Sequence, residues 1–304
     1  MGAGHSHPPA PSGHAGARYR RRLTISFALI ATFFVVELVW GLLSNSLALI
    51  SDAGHMAADV VALGAALAAT QIATRKDTTG RRTFGSYRAE VFASGLTVLL
   101  MLGVSVYVVV EALSRVGGEV EVSTGPMIVV GGLGLLVNII VMLLLRNGAQ
   151  ESLNVKGAYF EVVADTAGSV GVVLAGILIS TTGQGWWDTA VALAIGAFVA
   201  VRAVILGRQV LAVLGQQVPE GIDAEQVAAD LADVEGVEDV HDLHIWVLTS
   251  GMNVATAHLM TDEGADAHAV LDSARTVMRT DFGVEHATLQ VEGWRAPECH
   301  SVDW

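Results

Sequence analysis

The stretch SDAGHMAADV, residues 51–60, sets two aspartates and a histidine inside an apolar run. Asp52, His55 and Asp59 are the only ionisable side chains between Leu38 and Arg75. If the run is helical, His55 and Asp59, four residues apart, share one face. Composition gives the surroundings. The 304-residue chain is 52% hydrophobic and 15% charged, with a mean hydropathy of +0.54. Soluble domains carry about 25% charged residues. A membrane crossing needs about 20 mostly apolar residues. Runs at 23–43, 47–69, 89–114, 125–145, 158–181 and 186–214 meet that length. So many runs are too much for the buried helices of a soluble core. The expected fold is an α-helical membrane protein with six transmembrane helices.

Positive charge orients it. Arg18, Arg20, Arg21 and Arg22 precede the first run, and Arg75, Lys76, Arg81, Arg82 and Arg88 follow the second. Arg146 and Lys156 follow the fourth, and the opposite loops offer only Arg115. Both termini are therefore expected in the cytoplasm, with the chain multi-pass in the inner (plasma) membrane. Residues 1–22 are rich in Gly, Pro and His, end in RYRRR, and are followed by no small-residue cleavage site. They read as a retained, flexible tail carrying His5, His7 and His14. The sole cysteine, Cys299, leaves no internal disulfide and no CxxC site.

The net charge of −13 is uneven: from Gln216 onward there are 18 acidic and three basic residues. That shift marks a separate cytoplasmic domain over 215–304, after a membrane domain over 23–214. Its acidity repels nucleic acid and suits divalent cations. DAEQVAADLADV reads as a helix with Asp223 as N-cap and Gln226 completing a capping box. VEDVHDLHIWVLT and MNVATAHLMT alternate as strands, GADAHAVLDSARTVMRTDFG is an amphipathic helix ending near Gly283, and VEHATLQVEGW is a third strand. The order helix–strand–strand–helix–strand predicts a small α+β domain.

Ionisable residues inside a membrane are expensive and mark function. Span five opens with NVKGAYFEVVADTAGS, in which Glu161 and Asp165 repeat the four-residue spacing of His55 and Asp59. Two helices with two ligands each can close a four-coordinate site of nitrogen and oxygen donors, which suits zinc. Carboxylates broaden that choice toward cobalt, cadmium, iron or manganese. The bland alternative is that these groups only join helices by hydrogen bonds.

SNSLALISDAGHMAADVVAL, TFGSYRAEVFASG, NVKGAYFEVVADTAGSVGVV, VHDLHIWVLTSG and EHATLQVE, in this order and spacing, resemble the cation diffusion facilitator family. The branch it is most similar to comprises bacterial zinc and cadmium exporters and vesicular zinc transporters. The resemblance implies a proton-coupled antiporter, a homodimer, and a transport site between spans two and five. It also implies a metallochaperone-like C-terminal domain. It puts His55, Asp59 and Asp165 on transport-site positions. Zn2+ is the implied cargo and a regulatory ligand; protons and membrane lipid are the other partners.

Three departures stand out. Glu161 replaces the branch's usual His, so bound M2+ would leave the site at −1. Either one carboxyl of Glu161 and Asp165 then keeps a proton, or Glu161 coordinates weakly. RRTFGSYRAE lacks the accessory His of many relatives, and RNGAQESLNVK lacks a His-rich insertion. In the C-terminal domain the resemblance suggests His244, His258, His286 and Glu292 as metal ligands, with Cys299 a further candidate. His241 is a neighbour that strand alternation points to the opposite face from His244. His268 reads as an exposed polar residue.

Glu37 is a candidate proton relay or helix-pairing group. Asn45 and Asp52 are candidates for an exit path. Asn138 reads as a packing hydrogen bond and Asp188 as the N-cap of span six. Gly131, Gly132, Gly134, Gly168 and Gly171 would let helices approach closely. No GxxxxGK[ST] loop supports an ATP-driven pump. No HExxH or nucleophile elbow supports a membrane metalloenzyme. A metal sensor without transport would need only the C-terminal ligands, and the intramembrane pairs favour transport.

Overall fold

The apolar runs lie in helices of 22 to 31 residues: α1 His14–Ser44, α2 Leu47–Ala73, α3 Ala89–Ser114, α4 Thr124–Leu145, α5 Leu153–Thr182 and α6 Trp186–Leu214. The computed structural model describes residues 14–73, 83–117, 121–146, 153–249 and 251–293. They belong to two units, one drawn from Met1–Leu67 and Leu96–Ile205, the other from Ala68–Gly95 and Leu206–Trp304. Among the described residues, five stretches are long and apolar enough to cross a membrane: Thr24–Ser44, Ala89–Ser114, Thr124–Leu145, Tyr159–Thr182 and Trp186–Leu214. The 27-residue α2 is a further long helix and carries Asp52, His55 and Asp59 in its first half. α1 starts at His14, upstream of the expected opening at residue 23, so Arg18 to Arg22 continue the helix.

The first unit is inverted relative to a water-soluble fold. Leu99 and Leu113 are each 67% exposed, whereas Glu37 and Asp188 are fully buried. Apolar side chains that face outward suit hydrocarbon, and polar ones must then find partners inside. α4 packs between α1 and α5. Gly134 makes the approach to α1 possible, because a Cβ there would lie 2.7 Å from the Phe33 ring. Gly132 faces open space, so it does not serve the close contact expected of it.

In the second unit, α7 Ala224–Ala232 and α8 Ala267–Thr280 accompany β1 Val237–Thr249, β2 Met252–Thr261 and β3 His286–Glu292. The sheet order is β1-β2-β3, with β1 and β2 antiparallel and β2 and β3 parallel. Val227, Leu231, Ile245, Leu259, Val270 and Met278 form its core. Asp223 caps α7 by accepting from Glu225 N at 3.0 Å. Gln226 instead donates to Asp230 at 2.6 Å, so the reciprocal half of the capping box is not made. Asp266 caps α8 by accepting from His268 N at 2.9 Å, and His268 itself is exposed.

Candidate metal sites

One turn of α2 brings His55 over Asp59, with Nδ1 and Oδ2 3.8 Å apart. α5 supplies Asp165, whose Oδ1 lies 3.1 Å from His55 Nε2. One ligand atom from each of the three lies within 4.8 Å of the others. His55 and Asp165 are 2% exposed and Asp59 15%. His55 Nδ1, Asp59 Oδ2 and Asp165 Oδ1 are buried with no hydrogen-bond partner among the described residues. A buried set of orphaned donor atoms is costly unless a cation or proton fills it.

Glu161 stands apart from the three. It is 43% exposed and pairs with Arg202 Nη2 of α6. Arg202 Nη1 lies 3.1 Å from His55 Nε2. The guanidinium sits over the Phe198 ring at 5.9 Å, and that ring meets His55 edge-on at 6.0 Å. Arg202 lies inside the apolar run 186–214, outside the loops whose charge orients the chain. The rule that singled out His55, an ionisable group inside an apolar run, applies to it equally.

A second group forms in the sheet. His241 pairs directly with His258 across β1 and β2. His258 Nδ1 lies 2.8 Å from Glu292 Oε1, and His241 Nε2 3.7 Å from Glu292 Oε2. His241, His258 and Glu292 could hold one ion between them. His244 instead pairs with Thr256. A register shift between His241 and His244, with Asp242 at φ 51°, adds a residue to β1. The alternation argument therefore fails: His241 and His244 oppose His258 and Thr256 in turn, which share a face. His286 begins β3 opposite Val254 and stacks edge-on against Phe84 at 5.6 Å, away from the group. Cys299 lies outside the described residues.

Residues 23–214 match the family described as the cation efflux transmembrane domain, and residues 219–294 match the cation efflux protein, cytoplasmic domain. The chain belongs to the cation diffusion facilitator family. Similar proteins of this family include the metal cation efflux system protein CzcD of Cupriavidus metallidurans, 43% identical over 100% of this chain and 93% of that protein. The cadmium, cobalt and zinc/H(+)-K(+) antiporter of Bacillus velezensis is 34% identical over 95% and 92%. The zinc transporter ZitB of Escherichia coli K12 is 33% identical over 97% and 95%. A solved metal-bound C-terminal domain of the CzcD transporter matches at 33% identity, covering 23% of this chain and 99% of that one, with a TM-score of 0.23. As a family member, this chain is a multi-pass membrane protein of metal cation efflux.

The cation efflux fold also fixes the start of α2, the helix that carries His55. Asn45, at φ 53°, turns the chain out of α1. The first four N–H groups of α2 need partners from outside the helix. Leu47 N and Ala48 N donate to Asp188 at 2.6 and 3.1 Å. Leu49 N donates to Ser46 Oγ at 3.2 Å and Ile50 N to Ser46 O at 3.2 Å. Ser46 Oγ in turn donates to Asp188 at 2.6 Å. Arg115 bonds Asp188 at 3.3 Å, Asn45 O at 3.2 Å and Glu111 at 3.0 Å. Asp188 is thus the cap of α2 rather than of its own helix.

One turn from His55, Asp52 neighbours Glu37 and accepts from Ser169 at 3.5 Å; Ser169 accepts from Asn138 Nδ2 at 3.2 Å. A Cβ on Gly168 would lie 2.6 Å from Asp52 Oδ1, so only glycine lets α5 pass this carboxylate. Asn138 makes the packing hydrogen bond expected of it.

Proposed function

We propose that the chain exports divalent metal, Zn2+ foremost, from the cytoplasm in exchange for protons. The observation that carries this is the buried group of His55, Asp59 and Asp165, whose facing donor atoms have no other partner. These three hold the metal, and an open fourth position lets it enter and leave. Metal binds their deprotonated forms, so protons arriving from the other side displace it. Exchange of metal for protons is therefore a property of the ligands themselves. The names of the relatives, which include zinc, cadmium and cobalt, support this cargo class. Co2+, Cd2+, Fe2+ and Mn2+ are the competing cargoes, since two of the three ligands are carboxylates.

In this reading the membrane domain spans six times over 23–214, with α2 as the second span and both termini cytoplasmic, below a tail of residues 1–22. Residues 215–304 bind metal through His241, His258 and Glu292 and join two copies of the chain. The match to a cytoplasmic dimerisation domain supports the homodimer. The test is uptake by proteoliposomes of Zn2+, Cd2+, Co2+ and Mn2+ across an imposed pH gradient. Zinc flux should rise with the gradient and vanish in Asp165→Ala and Asp59→Ala. Gradient-independent flux removes the proton coupling, and undiminished flux in both variants removes the site.

A further inference from the structure

We propose that Arg202 is the transport site's own cation, occupying it when metal is absent, and that Glu161 is its counter-ion rather than a metal ligand. The inference rests on the reading of His55, Asp59 and Asp165 as the metal ligands.

Position comes first. Arg202 Nη1 is within hydrogen-bond distance of His55 Nε2, the same ring nitrogen that faces Asp165 Oδ1, both at 3.1 Å. One nitrogen cannot serve both. With its lone pair free it accepts from Arg202 and leaves Asp165 unserved. With a proton it donates to Asp165 and meets the guanidinium as a repelling donor. The two contacts at His55 Nε2 therefore compete. A metal ion bound by Asp165 and by the unpartnered His55 Nδ1 leaves the ring proton on Nε2 and resolves the competition, provided that Arg202 withdraws. Arg202 does not leave far: Glu161, one turn before Asp165 on α5, holds its other nitrogen.

Charge agrees with position. His55 is neutral when it ligates. Asp59, Glu161 and Asp165 then bring three negative charges against two on the metal. A surplus charge in a membrane interior is costly without a partner. Arg202 supplies the missing positive charge and cannot lose it, because guanidinium stays protonated. The loaded site is neutral without any carboxyl having to keep a proton.

Exposure separates the two acidic residues of α5. Asp165 is 2% exposed and Glu161 43%. The first has the dry setting of a ligand, the second that of a rim residue able to hold a guanidinium that moves. A tethered cation also lowers metal affinity, which a transporter needs in order to release its cargo.

A double-mutant cycle on the full-length protein in detergent tests this, every variant also carrying His241→Ala and His258→Ala to silence the C-terminal group, with Zn2+ affinity read by competition titration at fixed pH. Glu161→Gln frees the guanidinium to remain against His55, and should weaken zinc binding by about tenfold or more. Arg202→Gln should bind zinc at least as tightly as wild type. Glu161→Gln with Arg202→Gln should recover to within about threefold of wild type, a non-additive result. Glu161→Gln with Arg202→Lys keeps the charge and should stay weak. Arg202→Met is the second neutral variant, should the glutamine one fail to fold. A double variant as weak as Glu161→Gln alone overturns the proposal, because Glu161 is then a ligand in its own right. Unchanged affinity in Glu161→Gln overturns it as well. Asp165→Ala in the same titration keeps the two readings apart: its loss of zinc binding upholds the ligand set whatever the cycle gives, and wild-type binding by it removes the site itself.

Discussion

Replacing Asp188 by alanine should unfasten the helix that carries His55. Asp188 is fully buried and receives Ser46 Oγ, two backbone N–H groups of α2 and the Arg115 guanidinium. Arg115 is itself only 8% exposed. Losing a helix cap costs about 1 kcal/mol. Stranding a buried charge partner costs about 3–5 kcal/mol. The terms overlap, since one side chain supplies both, so a total of about 4 kcal/mol is expected for Asp188→Ala. Asp188→Asn keeps an oxygen for the N–H groups and loses the charge, so about 1–2 kcal/mol is expected. For a membrane unit of this size, these correspond to thermal midpoints lowered by about 10 °C and about 4 °C. The assay is thermal unfolding in detergent, followed by the fraction of protein that remains monodisperse. Arg115→Ala is the control: it leaves Asp188 with three donors and should cost less than Asp188→Ala. Midpoints within about 1 °C of wild type for Asp188→Ala, or a larger loss in Asp188→Asn, would refute the reasoning.

Gly134→Ala drives a methyl group into the Phe33 ring at 2.7 Å and should cost about 1–3 kcal/mol, measured by the same melt. In the C-terminal domain, His241→Ala and His258→Ala should each remove zinc that elemental analysis of the purified protein detects, whereas His244→Ala and His286→Ala should leave the zinc content unchanged. Zinc affinity of the transport site should fall as pH falls, because protons and metal compete for His55, Asp59 and Asp165; titrations at two pH values check the sign, and pH-independent affinity would count against those ligands.

How much of this is written in the sequence depends on the kind of periodicity involved. His55 over Asp59 follows from the helical repeat alone, and the five apolar spans from their length and composition. The strand and helix order of the C-terminal domain is legible because its alternation, its caps at Asp223 and Asp266 and its stop at Gly283 all agree. The face of His241 is not legible, since one bulge reverses the alternation and nothing in the residues nearby announces it. Glu161 and Asp165 have the same spacing as His55 and Asp59, yet they part company because α6 brings Arg202 to one of them. Asp188 looks like a local cap and acts on a helix 141 residues earlier in the chain. Spacing within a helix identifies a shared face; which neighbour meets that face is a property of the packing.

That separation has a consequence for how the protein is made. α2 is synthesised early, and the groups that satisfy it come late: Asp188 lies 141 residues after Leu47, and Arg202 lies 147 residues after His55. At a synthesis rate of about 5–20 residues per second, about 7–30 s pass before the last partner emerges. Until then the nascent α2 lacks the Asp188 acceptor for Leu47 N and Ala48 N and the Arg202 contact of His55. The helix that carries His55 is thus completed only once α6 has been made. A chain whose synthesis stops before α6 leaves the Asp188 cap and the Arg202 contact of that helix unmade.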